Sequence, residues 1–131
     1  MRTELSSDLV ERLLREAEQA HPRECCGILL GEGRRITAIR PAANVHPEPR
    51  RHFEIDPQVL VDAHRGARSG GPQVLGYYHS HPNGRAEPSA TDRANAARDG
   101  AIWAIIAADR ISFWRSGDAG FEALPYVLAP R

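Results

Sequence analysis

Gly76-Tyr77-Tyr78-His79-Ser80-His81 leads through seven residues, Pro82 to Pro88, into Ser89-Ala90-Thr91-Asp92. Gln73 to Tyr78 reads as a strand that runs straight into His79. On an extended strand end, residues i and i+2 point the same way, so His79 and His81 share a face. Two imidazoles on one face make half of a zinc site. Asp92 falls in the first turn of a helix expected over Ser89 to Asp99, and the Pro/Gly-rich loop 82–88 can fold it back toward the histidines. A His-His-Asp set leaves the fourth tetrahedral position open, which a catalytic zinc requires. Zinc there lowers the pKa of a water to roughly 7. A plainer reading stands beside this one: Ser-x-x-Asp is a capping box, which explains Ser89 and Asp92 with no metal. The two roles are compatible, because a helix start is a fixed place to mount catalytic groups.

Working outward, residues 8–20 carry Leu9, Val10, Leu13, Leu14 and Ala17 at helical spacing, with Asp8 and Glu11 at capping-box spacing and His21-Pro22 as the stop. Residues 25–31 form an apolar run bounded by glycine, read as a buried strand, and the turn Gly31-Glu32-Gly33 returns the chain as a second strand over 34–40. Three prolines and Asn44 make 41–50 a loop, followed by a short strand from Arg51 to Ile55. Asp56-Pro57 opens a helix as N-cap and first-turn proline, and Gly70-Gly71-Pro72 stops it. Ala101 to Ala107 and Ile111 to Trp114 read as a hairpin turning at Asp109-Arg110, and the tail from Phe121 adds a short strand. The pattern predicts one α/β domain over residues 1–131: a single curved mixed sheet with helices packed on it.

The composition narrows the function. In 131 residues, 17 basic side chains balance 17 acidic ones, so the formal net charge is zero. A nucleic-acid partner ordinarily calls for a basic excess. The two cysteines, Cys25 and Cys26, are adjacent and form neither a staple nor a C-x-x-C site. Cys26 is expected to be buried and structural, with Cys25 facing the opposite side of the strand. No stretch resembles a signal peptide or a membrane span, so no membrane partner and a cytoplasmic location are expected.

A hydrolytic zinc site also needs a general base to take a proton from water and deliver it to the leaving amine. Glu24, just after Pro22-Arg23 and before the first buried strand, is a carboxylate suited to that work. Taken alone it reads more readily as a solvated loop charge.

Together these residues resemble the JAMM/MPN-plus metallopeptidase family, whose signature is an upstream Glu, His-x-His, seven residues, Ser, two residues and Asp. Here these are Glu24, His79-Ser80-His81, Ser89 and Asp92, matched without a gap. Pro22-Arg23-Glu24-Cys25-Cys26-Gly27 and Phe53-Glu54-Ile55-Asp56-Pro57 resemble two further segments of the family, and the likeness runs from about residue 5 to 115. The resemblance implies a cytidine-deaminase-like α/β fold and one zinc ion per chain, held by His79, His81 and Asp92. It implies Glu24 as general base and then acid, and Ser89 as hydrogen-bond donor to the tetrahedral oxyanion. Ser80 takes a positional role only. The chain resembles the free-standing bacterial members. Their implied substrate is a ubiquitin-like or sulfur-carrier protein with an extended Gly-Gly tail, cleaved at the amide of the terminal glycine. Asn83-Gly84-Arg85 is expected to line the channel for that tail.

The alternative within the family is a non-catalytic MPN-type scaffold, against which the complete residue set speaks. A base deaminase would pair His-x-Glu with Pro-Cys-x-x-Cys. His46-Pro47-Glu48 and His52-Phe53-Glu54 fit the first half, but the second half is absent. A hydrolase of small peptides or of a DNA-repair intermediate is the third alternative, and zero net charge weighs against the latter.

Overall fold

The computed structural model describes residues 2–129. The chain runs β1 (Thr3–Ser6), α1 (Ser7–Ala20), β2 (Cys26–Glu32), β3 (Arg35–Ala42), α2 (Pro57–Arg68), β4 (Gln73–Ser80), α3 (Ala90–Asn95), β5 (Ile102–Ala107), β6 (Arg110–Gly117), β7 (Gly120–Leu124) and β8 (Tyr126–Ala129). All the strands join one mixed sheet in the order β7-β6-β5-β4-β2-β3-β1-β8. The two edge strands are consecutive in the chain, separated only by Pro125. That connection requires the sheet to curl until its edges approach, so the ring of Phe113 on β6 lies 5.0 Å from that of Tyr126 on β8. This nearly closed mixed sheet with its helices is the expected fold class.

The apolar run of β2 is continuous because both of its faces are covered. Leu29 faces the main core with Leu9 and Leu13 of α1, Tyr78, Ile106 and Phe113. Its neighbours Ile28 and Leu30 face the other way, against Ala63, Val59 and Leu60 of α2. Cys25 packs at the edge of the α1-side core and Cys26 is buried, both as free thiols. Gly27 admits the Tyr78 ring, which a Cβ there would meet at 2.4 Å. Tyr78 is fully buried and donates its phenol hydrogen to Glu16 Oε1 at 2.7 Å, tying β4 to α1.

Several elements differ from expectation. The N-cap of α1 is Ser6, whose Oγ accepts from the Leu9 amide at 3.3 Å, rather than Asp8. β1 has no pattern long enough to announce it; its four residues become a strand by lying parallel to β3 and β8. Residues 51–55 are not a strand and contribute only one bridge, Asn44 to Ile55. The Asn44 side chain takes the backbone groups of 46, 52 and 54 that a ladder would have used. The third helix ends at Asn95 instead of Asp99. Beyond it, Arg98 donates its amide to Ser116 Oγ, and Gly100 and Ala101 bond the Ser116 backbone, so 98–101 is tied to β6. The β5–β6 turn falls at Ala108-Asp109, with Ala108 at φ +55°. Among the described residues no helix is long and apolar enough to cross a membrane.

Candidate active site

Sheet register brings Glu24 to the histidines. β2 pairs antiparallel with β4 as Cys26↔His79, Gly27↔Tyr78 and Ile28↔Tyr77, each pair of numbers summing to 105. Continued outward, that register sets Cys25 against Ser80 and Glu24 against His81. The first step is visible: Ser80 donates its amide to the Cys25 carbonyl at 3.1 Å, and the Cys25 amide donates to Ser80 Oγ at 2.8 Å. Ser80 thus staples the strand ends together, which is its positional role. On the other side β4 runs parallel to β5 (His79↔Ile105), and the His81 amide donates to the Ile106 carbonyl at 2.8 Å. Both histidines are therefore fixed by a central strand, and both are buried.

Asp92 arrives from α3. Ser89 is the N-cap: its Oγ accepts from the Asp92 amide at 3.0 Å, and its amide donates to Asp92 Oδ2 at 2.9 Å. The capping box is real, and it coexists with the metal cluster rather than replacing it. The same Oδ2 lies 3.2 Å from His79 Nε2 and 3.1 Å from His81 Nε2, while the two Nε2 atoms are 3.0 Å apart. A tetrahedral zinc with bonds of about 2.0–2.1 Å holds its ligand atoms roughly 3.3 Å apart. The triangle is nearly that size.

The proton inventory points the same way. His81 Nδ1 is 2.7 Å from the Arg85 carbonyl oxygen, which can only accept, so Nδ1 carries the hydrogen. Its Nε2 in the neutral ring is then a lone pair aimed at another imidazole nitrogen and a carboxylate oxygen. A hydrogen on His79 Nε2, or a cation between the three atoms, satisfies this convergence. Burial pushes the His79 pKa down, in spite of Asp92, and so keeps that ring neutral. Burial also opposes charge on His81, but the hydrogen bonds to Asp92 and Arg85 and the charges of Asp92 and Glu24 outweigh it and raise its pKa. Burial likewise opposes charge on Asp92. The hydrogen bonds from both histidines overcome it and hold the carboxyl well below the usual range. Zinc binds neutral imidazoles and an ionised carboxylate, so His79 and Asp92 are held in binding forms, while at His81 the metal would have to displace a proton. Among the described residues, these three alone form such a cluster, and they fit zinc.

Glu24 is buried and lines two cavities that flank the cluster. One, of about 260 Å³, is walled by Phe53, Ile55, Tyr77, Asp92 and Trp103. The other, of about 220 Å³, is walled by Arg50, Arg51, His81, Asn83 and Ser89. Burial pushes the Glu24 pKa up from 4.5 to about 7; His81 lowers it and Asp92 raises it further. Asn83 thus lines the cleft as expected, and Gly84 lines a separate cavity behind His81. His46 and His52 pair with each other at 4.9 Å and take no part in the metal cluster.

Two participants were not foreseen. Phe53 stacks on His79 at 4.2 Å and 18°, and Trp103 meets the same imidazole edge-on at 5.7 Å. Phe53 was visible only as part of a family-like segment, and Trp103 only as a residue of an apolar strand. Asn44 was legible as a loop residue and nothing more.

A family model described as prokaryotic homologs of the JAB domain matches residues 6–117. The chain belongs to this family. A desampylase from Haloferax volcanii is 37% identical over 114 residues, spanning 82% of each chain. A probable TtuB-protein conjugate cleaving protease from Thermus thermophilus is 40% identical over 80 residues, or 61% of this chain and 51% of that one. Among solved structures, protein DSY2949 from Desulfitobacterium hafniense superposes with a TM-score of 0.85 at 28% identity, covering 98% of this chain and 94% of that one. A JAMM structure, described as a metalloprotease-like zinc site in the proteasome and signalosome, shares the fold. Its TM-score is 0.58 at 19% identity, over 97% and 99% of the two chains. With the His79, His81 and Asp92 cluster in place, this JAB-family chain has metallopeptidase homologues and a three-residue set that fits a zinc ion.

Proposed function

We propose that this protein, one such domain over residues 1–131, hydrolyses the amide bond at the C-terminal glycine of a ubiquitin-like or sulfur-carrier protein. The observation that carries the reading is that Glu24, two residues before the first β2–β4 pair, shares one cavity with Asp92 and another with His81 and Ser89. Zinc bound by those three side chains supplies Lewis acidity, polarising the amide carbonyl and acidifying water. Glu24 takes the proton from the attacking water and passes it to the leaving amine. Ser89 Oγ uses a lone pair to cap the Asp92 amide. Its hydroxyl hydrogen remains free to donate to the tetrahedral oxyanion, and the exposed Ser89 side chain opens on the cleft.

The substrate class is supported by the two relatives, named as a desampylase and a TtuB-conjugate cleaving protease. The aromatic cavity on one side of Glu24 suits an apolar residue of the tail.

The test is incubation of zinc-loaded protein with ubiquitin-like carriers extended or conjugated beyond a Gly-Gly end, followed by mass measurement. A product ending at the glycine, lost with chelator or with Glu24→Gln, is the expected result. Cleavage that survives chelation overturns the reading. Full-length protein purified without chelator that holds no zinc and cleaves nothing returns it to the scaffold alternative.

A further inference from the structure

The segment from Asn44 to Ile55 has almost no regular structure, yet it carries Arg51, Phe53 and Ile55 into the cleft. One side chain organises it. Asn44 Nδ2 donates to the Glu24 carbonyl at 3.0 Å, to the His52 carbonyl at 2.9 Å and, at 3.4 Å, to the Pro49 carbonyl. Asn44 Oδ1 accepts from the amides of His46 at 3.1 Å and Glu54 at 3.0 Å. The Pro49 carbonyl in turn accepts from the Glu24 amide at 2.7 Å. Both backbone polar groups of Glu24 are thus bonded to this segment, one directly through Asn44 and one through a carbonyl Asn44 also touches. Glu24 precedes β2, so no ladder holds it. The carboxamide is used at both ends, and no other uncharged side chain of this size offers two donors and a two-lone-pair acceptor in one plane.

We propose that Asn44 is a positioning residue: it sets the backbone of Glu24 so that the carboxylate faces the metal cluster, and sets Phe53 against His79 through the same segment. The inference rests on the peptidase reading above. A displaced base costs rate rather than affinity, and a misplacement of about 1 Å can lower turnover on the order of 100-fold.

The experiment compares Asn44→Ala and Asn44→Asp with wild type and Glu24→Gln in the full chain. Asn44→Asp is close in shape and keeps the acceptor oxygen for His46 and Glu54 while losing the donor toward Glu24 and His52. The expected result is a fall in kcat on the order of 10- to 100-fold in both variants, with KM changed much less and zinc content kept. A second readout uses the metal-free protein: hydrogen exchange at the Glu24 amide accelerates at least about tenfold while that of Ile28 and Leu29 in β2 is unchanged. Should Asn44→Ala fail to fold, Asn44→Asp carries the test. A variant that raises KM with kcat and Glu24 exchange intact would show that Asn44 only shapes the cleft, and would overturn the proposal. An inactive wild type, or an active Glu24→Gln, would instead overturn the peptidase reading.

Discussion

Glu24 sits where the fold opposes its charge. Its pKa rises from 4.5 to about 7, chiefly through burial, so the metal-free protein binds an extra proton between those values. Folded-state protonation stabilises the protein at low pH, and that contribution is lost as pH rises through 7. Glu24→Gln removes the penalty. The variant is expected to match wild type at pH 4 and to be more stable at pH 8 by roughly 1–2 kcal/mol, allowing for partial solvation. Thermal melts of chelated protein at both pH values check this, and a variant less stable at pH 8 would contradict it. At His81 the pKa is raised as well, but there the surroundings favour the charged form. Its pKa is raised above 6.5, so a proton competes with zinc more strongly than at an ordinary histidine. Zinc retention should begin to fall at a pH above the ordinary histidine value of 6.5 and go on falling below it, measured by dialysis and metal analysis. Phe53→Ala exposes the buried His79 ring and removes a stacked pair worth about 0.5–1.5 kcal/mol beyond burial. Zinc affinity is expected to fall about tenfold, read by competition with a chromophoric chelator.

At the scale of elements, the cap of α3 and the metal cluster share one carboxylate oxygen, Asp92 Oδ2. A cap alone and a catalytic donor alone make different forecasts for Ser89→Ala. Loss of the cap costs about 1 kcal/mol of stability. Loss of an oxyanion donor costs about 100- to 1000-fold in kcat. Both are expected, with zinc still bound, and a stability loss with full turnover would remove Ser89 from the chemistry. The helix itself was readable in Ser89 to Asp92, because a capping box is a local signal. Its end at Asn95 was not, because the Ser116 backbone and hydroxyl that draw 98–101 away lie on a strand formed later in the chain. The predicted strand at 51–55 failed for a related reason. A side chain, Asn44, supplied the hydrogen bonds that a neighbouring strand would have provided.

At the scale of the molecule, the site is set at the ends of three adjoining strands, between two cores that hold without it. The α1-side and α2-side clusters consist of apolar residues on opposite faces of the sheet. Zinc removal should therefore abolish activity while leaving the far-ultraviolet circular dichroism largely unchanged, with a lowered melting temperature that zinc restores. Unfolding on chelation would show that the metal is structural. The curl that closes the sheet explains why an edge strand as short as β8 can persist: it has one neighbour, β1, and its chain connection to β7 holds it in place.

The sequence by itself determined the elements whose signals are local: the apolar run of β2, the Asp56-Pro57 start of α2, and the i, i+2 histidines on a strand end. Spacing alone left His79, His81, Ser89 and Asp92 open between a metal site and a helix cap, and only the resemblance to a family joined Glu24 to them. Only the tertiary structure decided that Glu24, 55 residues before His79, shares a cavity with His81, since that depends on the pairing of two strands distant in sequence and on the segment that bonds the Glu24 backbone. It alone decided that Phe53 stacks on a ligand and that Asn44 braces Glu24. Both contacts are made by a segment with no periodic pattern, whose conformation is set by hydrogen bonds to residues far away in the chain.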